Sequence, residues 1–483
     1  MKRLRVHCVL LSILLSPLAW GGSLVIQRVT VIDATGKPAQ PGMTVVIAED
    51  QIVAIGPWTK VKAPVGSQVV DGRGKFLIPG LWDMHVHDYA FDSAQTDVTW
   101  SYPLYLANGV VGVREMWGPE DANTWRAAHA RYGKPSPSGY VASPIIDGPG
   151  KASDGAVHVA DAAQARAAVD RYKANGADFI KTYTLLSRES YFAIVDEARK
   201  VAIPFEGHIP DAVTVEEASD AGQKSMEHLI GVPLGASSEE AALFREKPVN
   251  GTFGDFDNTG PDYRRYLRAY ATYDESKAAV LFARFIKNGT WQCPTLVEER
   301  SWAHLDDDKF KHEEWVKYVP FEARSWWTNL SRGMTTADWD NAHRLLPEEL
   351  KFVGEMYRAG VPILAGSDAM GGPFVFPGFS LHDELALLVG AGLPPLAALQ
   401  ASTIGPARFM GQAERRGTVE VGKVADLVLL DRDPLADIHN STSIRAVILG
   451  GKLMDRALLD AMLAEAEATA AKPPSNPRRS TTN

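Results

Sequence analysis

Short runs of apolar and β-branched residues alternate with turn residues at both ends of the chain. Near the N-terminus such runs occupy 24–26, 29–32, 43–47 and 52–55, and Gly, Pro and Asp separate them. This pattern is typical of strands joined by turns. The same pattern of apolar and β-branched runs recurs at 425–430 and 444–449, just before the turn signal Gly450-Gly451. Because β-rich ends flank a different middle, we expect them to pack together as one small β-sandwich.

The middle of the chain alternates strands with helices. Helical periodicity is legible at 161–175, 188–200, 214–221 and 381–390. Strands separated by helices in this order pair in parallel, and eight of them favour a closed barrel. The pattern therefore predicts an α/β fold, a distorted (β/α)8 TIM barrel, with a doubly wound open sheet as the alternative. The candidate strands end near His87, Arg114, Ile145, Tyr183, His208, His228, Thr295 and Asp368.

The first 21 residues have the pattern of an export signal. Three basic residues precede an apolar run at 9–20 that is too short to span a bilayer, and Ala19 and Gly21 are small residues spaced for cleavage. We therefore expect a periplasmic or secreted protein. The predicted domains are a signal peptide at 1–21, the N-terminal part of the sandwich at 22–80, the barrel at 81–414, the C-terminal part of the sandwich at 415–455, and a helix with a disordered tail at 456–483.

Two late connections are far longer than a βα unit needs, and together they cover roughly 230–360. They are rich in tryptophan. The segment is either a lid over an apolar substrate pocket or an extra helical layer with its own aromatic core, and the second interpretation is favoured because aromatic residues usually fill cores. The tryptophans are Trp302, Trp315, Trp326, Trp327 and Trp339.

Composition and charge limit the classes of partner that the protein is expected to bind. The 483 residues are 45% hydrophobic and 23% charged, which is ordinary for a globular protein. Removal of 1–21 takes away three basic residues and no acidic ones, so the formal net charge falls from −9 to −12. This charge argues against nucleic acid or an anionic membrane surface as a partner. Only Cys293 then remains, which excludes a disulfide within the mature chain.

Candidate metal ligands stand at the ends of five predicted strands. His85 and His87 are two residues apart, so on a strand both imidazoles point to the same side. In a barrel, residues at the C-terminal ends of strands gather over one mouth. Taken singly, each has an ordinary structural explanation, such as a core histidine or a helix N-cap. Jointly they predict one site, and the other members are Lys181, Tyr183, His208, His228 and Asp368.

The remaining histidines lack this placement. His382 opens a predicted helix and is expected to pack rather than to bind a ligand. Five others are expected at the surface or in loops, and they are His158, His304, His312, His343 and His439.

Several stretches together resemble the amidohydrolase superfamily of metal-dependent hydrolases, and within it the imidazolonepropionase-like and Xaa-Pro dipeptidase-like group. The resemblance runs from Ser23 to about Lys452. The stretches that carry it are 80–87 (GLWDMHVH), 108–114 (NGVVGVR), 176–181 (GADFIK), the strand ends at His208 and His228, 365–368 (AGSD), 398–403 (ALQAST) with Pro406-Ala407, and 417–428 (GTVEVGKVADLV).

The resemblance implies a distorted barrel with a β-sandwich and a site for two divalent ions. His85 and His87 would bind the more buried ion with Asp368, and His208 and His228 would bind the second. Lys181 would bridge both ions after carboxylation of its amine. Imidazole and carboxylate ligands suit zinc, and cobalt, manganese or iron would also fit. Asp368 would also transfer the proton during hydrolysis, Tyr183 would donate a hydrogen bond to the oxyanion, and Asp83 would orient one of the histidines.

The function this predicts is hydrolysis of an amide or peptide bond by a hydroxide held between two metal ions, in a dipeptide or an N-acyl amino acid. One alternative keeps the site but opens a cyclic amide or a lactone. A mononuclear deaminase is disfavoured because such an enzyme does not need Lys181. A catalytically silent periplasmic binding protein is the alternative from another class. The expected partner is a small-molecule substrate, with no nucleic acid and no membrane after signal cleavage, and a homo-oligomer remains open.

Overall fold

A computed structural model describes residues 22–88, 98–150, 155–246, 263–311, 313–330 and 335–472. Within them, strands from both ends of the chain join one eight-stranded sheet. The N-terminal strands are β1 (Leu24–Val31), β2 (Gln40–Ala48), β3 (Gln51–Pro57), β4 (Gln68–Asp71) and β5 (Phe76–Pro79). The C-terminal strands, numbered after those of the barrel, are β14 (Leu427–Leu430), β15 (Ile444–Leu449) and β16 (Lys452–Asp455).

The two chain ends meet where β14 pairs antiparallel with β5, with Val428 opposite Ile78. The inner residues of these strands form a separate hydrophobic core that includes Ile26 and Leu429. The predicted joining of the two ends is thus confirmed. The predicted runs 24–26 and 29–32 form the single strand β1, because a register shift with Arg28 in the left-handed region (φ 62°) absorbs the break between them. The predicted domain boundaries stay predictions.

The second sheet is parallel and forms the barrel. Its strand order along the sheet is β6-β7-β8-β10-β11-β12-β13, with the two-residue β9 beside β8. The strands are β6 (Leu81–Val86), β7 (Val110–Glu115), β8 (Ser138–Asp147), β9 (Val157–His158), β10 (Phe179–Thr182), β11 (Phe205–Gly207), β12 (Ser225–Glu227) and β13 (Trp291–Cys293).

The segment 362–369 closes the barrel between its first and last strands. It forms parallel bridges with both neighbours, Ala369 with Val86 of β6 and Ile363 with Gln292 of β13. The backbone N–H of Met84 donates to the carbonyl of Ala365 at 2.9 Å. The predicted distorted (β/α)8 barrel is confirmed, and its eighth strand is this irregular segment.

Helices connect the strands on the outside of the barrel. Those predicted at 161–175, 188–200, 214–221 and 381–390 are confirmed, and Ser187 and Thr214 cap two of them through their hydroxyls. Up to β12 the helices are α1 (Tyr102–Ala107), α2 (Ala122–Arg131), α3 (Ala162–Ala174), α4 (Arg188–Lys200) and α5 (Val215–Asp220). After the closing segment they are α14 (Phe379–Gly390), α15 (Pro395–Ala401), α16 (Ile404–Phe409) and, beyond β16, α17 (Arg456–Ala470).

The two long connections form additional helices. Between β12 and β13 lie α6 (Val232–Gly235), α7 (Glu240–Arg245), α8 (Tyr263–Ala271) and α9 (Glu275–Asn288), and after β13 lie α10 (Leu296–Ala303), α11 (Glu313–Val316), α12 (Phe321–Leu330) and α13 (Thr336–Ala359). Four of the five tryptophans pack in one aromatic cluster with Trp100 and Phe376, which confirms the extra helical layer, and they are Trp302, Trp315, Trp327 and Trp339. The side chain of Trp326 lies outside the described residues.

No helix in the described ranges combines the length and the apolar character that a bilayer crossing requires. The predicted signal peptide and the predicted tail beyond 472 lie outside the described residues.

Candidate metal centre

Three candidate ligands meet at the mouth of the barrel. The Nε2 atoms of His85 and His87 are 3.2 Å apart, and Asp368 Oδ1 lies 3.1 Å from the first and 2.9 Å from the second. An ion bound by nitrogen and oxygen ligands at about 2.0–2.2 Å holds neighbouring ligand atoms about 3 Å from each other. The spacing of these three atoms therefore fits one divalent ion.

The protonation states of these three side chains favour binding of a divalent ion. Burial lowers the pKa of His85 and His87 well below the ordinary value for histidine, so both rings are neutral and can offer a lone pair. Burial and the nearby carboxylate of Glu298 raise the pKa of Asp368 well above its usual range. A carboxylate held in this way is a strong proton acceptor unless a cation is bound beside it.

His208 and His228 stand at the same mouth, and the ligand atoms of His228, His85 and Asp368 lie within 4.8 Å of one another. The ring centroids of His208 and His228 are 5.1 Å apart, and the ring of His228 is 4.6 Å from that of His85. Nδ1 of His208 contacts the Thr184 hydroxyl at 3.1 Å, and Nδ1 of His228 contacts the Thr295 hydroxyl at 2.7 Å. Because the Nδ1 atoms are engaged, Nε2 is the nitrogen that each ring has left for a ligand.

Backbone strain accompanies these strand ends. His228, Thr295 and Asp368 have φ values of 57°, 48° and 61°, in the left-handed region that non-glycine residues rarely adopt. Such conformations cost about 1–3 kcal/mol and persist where the surrounding structure enforces them, often at functional sites. Here they turn the chain sharply at the C-terminal ends of three barrel segments. Sequence periodicity carries no signal for this strain.

Lys181 lies at the end of β10 and is completely buried. Its ammonium nitrogen has no hydrogen-bond partner among the described residues. Burial lowers its pKa to about 8, although Glu227 and Asp368 act in the opposite direction. A buried lysine without a partner is a costly arrangement, and a neutral amine is the form that reacts with carbon dioxide.

Gly207 provides the room for the Lys181 side chain. A Cβ at Gly207 would lie 2.9 Å from Lys181 Cδ and 2.4 Å from the carbonyl oxygen of Thr182. Its φ of 125° is also unfavourable for other residues. This glycine therefore permits both the turn before His208 and the path of the lysine.

Tyr183 lies beside the site. Its ring stacks on that of His208 with centroids 4.1 Å apart, and Lys181 Nζ lies 5.9 Å from the tyrosine ring centroid. The structure thus brings all seven predicted site residues to one mouth, although their catalytic and metal-binding roles stay predictions.

Asp83 was predicted to orient one of the histidines, and its carboxylate accepts the backbone N–H of His85 at 3.3 Å rather than a ring N–H. The Asp83 carboxylate accepts hydrogen bonds from the backbone N–H and the hydroxyl of Ser367, at 2.8 and 2.5 Å, and so braces the turn before Asp368. The ring of His85 instead contacts Glu227, with Nδ1 and Oε2 2.9 Å apart. Sequence reasoning missed Glu227, although an acidic residue within the short, buried strand that ends at His228 was a usable signal.

A second group of potential donors consists of His85, Glu227 and Cys293, whose ligand atoms lie within 4.8 Å of one another. Glu227 is already paired with Arg114 at 2.8 Å. Burial also raises the pKa of the Cys293 thiol well above its usual range, which disfavours the thiolate that metals bind. This group is therefore a packed part of the barrel interior.

His382 packs as predicted, because its ring nitrogens contact the Ser441 hydroxyl and the carbonyl oxygen of Asn108. His158, His304, His343 and His439 are outside the site, and each keeps some exposure to solvent. His312 lies outside the described residues.

Comparisons with known proteins agree with this architecture. Residues 268–454 match the amidohydrolase family model. Ochratoxinase from Aspergillus niger is 25% identical over 445 residues, which cover 88% of this chain and 85% of that protein.

Solved structures share the fold. A bottromycin amidohydrolase superposes with a TM-score of 0.71 at 24% identity, covering 94% of this chain and 92% of that one. A Xaa-Pro dipeptidase with bound methionine superposes with a TM-score of 0.64 at 20% identity, covering 90% of this chain and 100% of that one. The fold, the match of residues 268–454 to the amidohydrolase family model and these relatives together support a hydrolase of the amidohydrolase superfamily that acts on carbon–nitrogen bonds.

Proposed function

We propose that this hydrolase uses two divalent metal ions, with zinc as the best fit, to cleave the amide or peptide bond of a dipeptide or an N-acyl amino acid. The observation that carries the proposal is the gathering of four histidines, a buried lysine and an aspartate at one barrel mouth. His85, His87 and Asp368 would hold the more buried ion. His208 and His228 would hold the second, since each has Nδ1 engaged elsewhere.

Lys181 would join the two halves of the site. An ammonium group between two cations would be repelled, whereas attack of the neutral amine on carbon dioxide, with loss of one proton, gives a carbamate anion with two oxygen donors. The burial of Lys181, and the lack of a hydrogen-bond partner for its nitrogen among the described residues, favour this modification. When bound, a pair of divalent ions acidifies water and polarises a carbonyl group.

The remaining steps belong to side chains of the protein. Asp368 accepts the proton of the attacking water and delivers it to the leaving nitrogen, a role that suits a carboxylate whose pKa is raised by burial. Tyr183 donates a hydrogen bond to the carbonyl oxygen as negative charge develops on it. The barrel walls exclude bulk water from these groups, because Lys181, His85 and Asp368 are all buried.

The substrate class rests on the relatives. An ochratoxinase, a Xaa-Pro dipeptidase and a bottromycin amidohydrolase have this architecture. A screen of dipeptides and N-acyl amino acids with the zinc-loaded enzyme tests the proposed substrate class. Turnover of cyclic amides or lactones alone would replace the proposed reaction by ring opening.

Metal content and a lysine variant test the site. We expect about two metal ions per chain in purified protein, and Lys181→Ala should abolish activity, with partial rescue by a short carboxylic acid. Lys224→Ala is the control, because Lys224 directly precedes β12 and its ammonium nitrogen lies over the ring of Phe409, 4.2 Å from the centroid. Full activity in Lys181→Ala would contradict the bridging role. Absence of metal, with thermal stability unchanged by added zinc, would favour a silent binding protein.

We further propose that the protein works in the periplasm or outside the cell. The support is the basic, apolar and small-residue pattern of 1–21.

A further inference from the structure

A buried network of charges fills the barrel directly behind His85. Arg114 of β7 is completely buried, and its guanidinium contacts Glu206 of β11 at 2.9 Å and Glu227 of β12 at 2.8 Å. Nε of the same arginine donates to the carbonyl of Met84, one residue before His85. Two carboxylates therefore share one guanidinium in a region without solvent.

Glu227 alone of these two acids has a contact to a candidate metal ligand. Its Oε2 lies 2.9 Å from Nδ1 of His85, and both side chains are 0% exposed. Its Oε1 accepts the hydroxyl of Ser225 at 2.5 Å. Because an ionised carboxylate only accepts hydrogen bonds, the Nδ1 atom of His85 must carry the proton. The lone pair then lies on Nε2, the nitrogen that is 3.1 Å from Asp368 and 3.2 Å from the ring of His87.

We propose that Glu227 is the positioning residue of the more buried metal ion. It fixes the tautomer and the ring plane of His85, while Arg114 and Ser225 fix the position of Glu227. The inference rests on the proposed function, since it concerns the ion that His85 would hold. A carboxylate behind a ligating histidine makes the imidazole more basic and limits its rotation, and loss of such a group costs about 10–100-fold in metal affinity or activity.

Glu206 provides a matched control. It is equally buried, and it pairs with the same guanidinium at nearly the same distance. Its other ion pair is with Lys224, at 3.8 Å, and no hydrogen bond or ion pair joins its carboxylate to a candidate metal ligand within the described part of the chain. A purely structural role as a counter-ion of Arg114 would make the two glutamates equivalent. If Glu227 positions His85, the two glutamates differ in their effect on metal binding.

The experiment compares Glu227→Gln with Glu206→Gln in the full-length protein. Zinc affinity is measured by competition with a chromophoric chelator, and the absorption spectrum of the cobalt-loaded protein reports on ligand geometry. We expect Glu227→Gln to lose about 10–100-fold in affinity for one of the two ions and to change the cobalt spectrum. Glu206→Gln should keep the wild-type zinc affinity and the wild-type cobalt spectrum. The thermal midpoints of the two variants should fall by similar amounts.

Glu227→Asp extends the test in case the amide variant does not fold. Aspartate keeps the charge that Arg114 requires but is one methylene shorter, so it should preserve stability and still weaken zinc binding. Equal zinc affinity and an unchanged cobalt spectrum in the glutamate-227 variants and in Glu206→Gln would overturn the inference while leaving the proposed function intact. A wild-type protein that binds no metal would overturn the proposed function itself, and the inference with it.

Discussion

Gly207 is the position where one added methyl group should affect both the fold and the site. In Gly207→Ala the new Cβ meets the carbonyl oxygen of Thr182 at 2.4 Å and Lys181 Cδ at 2.9 Å. The carbonyl cannot withdraw freely, because it accepts the backbone N–H of His208 at 3.1 Å. The methyl group must therefore displace the lysine, the strand pairing or both.

The magnitude follows from two contributions. A left-handed φ costs a non-glycine residue about 1–2 kcal/mol, and overpacking of a buried site costs about 1–3 kcal/mol. We expect Gly207→Ala to lower the free energy of unfolding by about 2–5 kcal/mol. Gly222→Ala is the control, since Gly222 also has a positive φ, 90°, but its added Cβ has no heavy atom within 4 Å from the described residues beyond its chain neighbours. That variant should lose only the backbone contribution, about 1–2 kcal/mol.

Urea unfolding followed by tryptophan fluorescence measures both variants, and metal titration reports on the site. Gly207→Ala should also bind metal more weakly, because Lys181 is pushed from its place, whereas Gly222→Ala should bind as the wild type does. Equal stability losses in the two variants, with equal metal binding, would refute the claim that Gly207 makes room for the lysine.

Three further results are expected. In metal-free protein the pKa of Lys181 is about 8, below the ordinary 10.5. The unfolded state therefore binds more protons between these values, so stability should rise by up to about 3 kcal/mol from pH 8 to pH 10.5. Denaturant melts should find this rise missing in Lys181→Met, and an equal rise there would contradict the assignment. Zinc at about 100 times its dissociation constant should add about 2.7 kcal/mol of stability, and a calorimetric scan before and after chelation checks this. Protein isolated from the periplasm or medium should begin near Gly22 by N-terminal sequencing, and an intact Met1 would speak against cleavage.

The hydrophobic and polar pattern of the chain was sufficient to predict the barrel and most of the residues at its mouth. Strand ends carry His85, His208 and Asp368 to one edge of a parallel sheet whatever the details of packing. The eighth strand was recognisable from its apolar run, although its backbone is too irregular for regular pairing along its length. The aromatic helices also packed together as their composition indicated.

The sites that sequence reasoning missed depend on pairing across the barrel. Glu227 and Arg114 are 113 positions apart in the chain. The two side chains meet only because β7 and β12 face each other across the closed sheet. The hydrogen bonds of Asp83 to Ser367 on the closing segment depend on the same closure, whereas its bond to the backbone N–H of His85 is local.

Local periodicity determined which residues form strands, which form helices, and which polar side chains stand at strand ends, because these depend on near neighbours in the chain. The closed sheet decided which buried charge faces which histidine, and which glycine leaves space for Lys181. Those are contacts between distant segments, and their geometry is set by barrel closure rather than by any spacing along the chain.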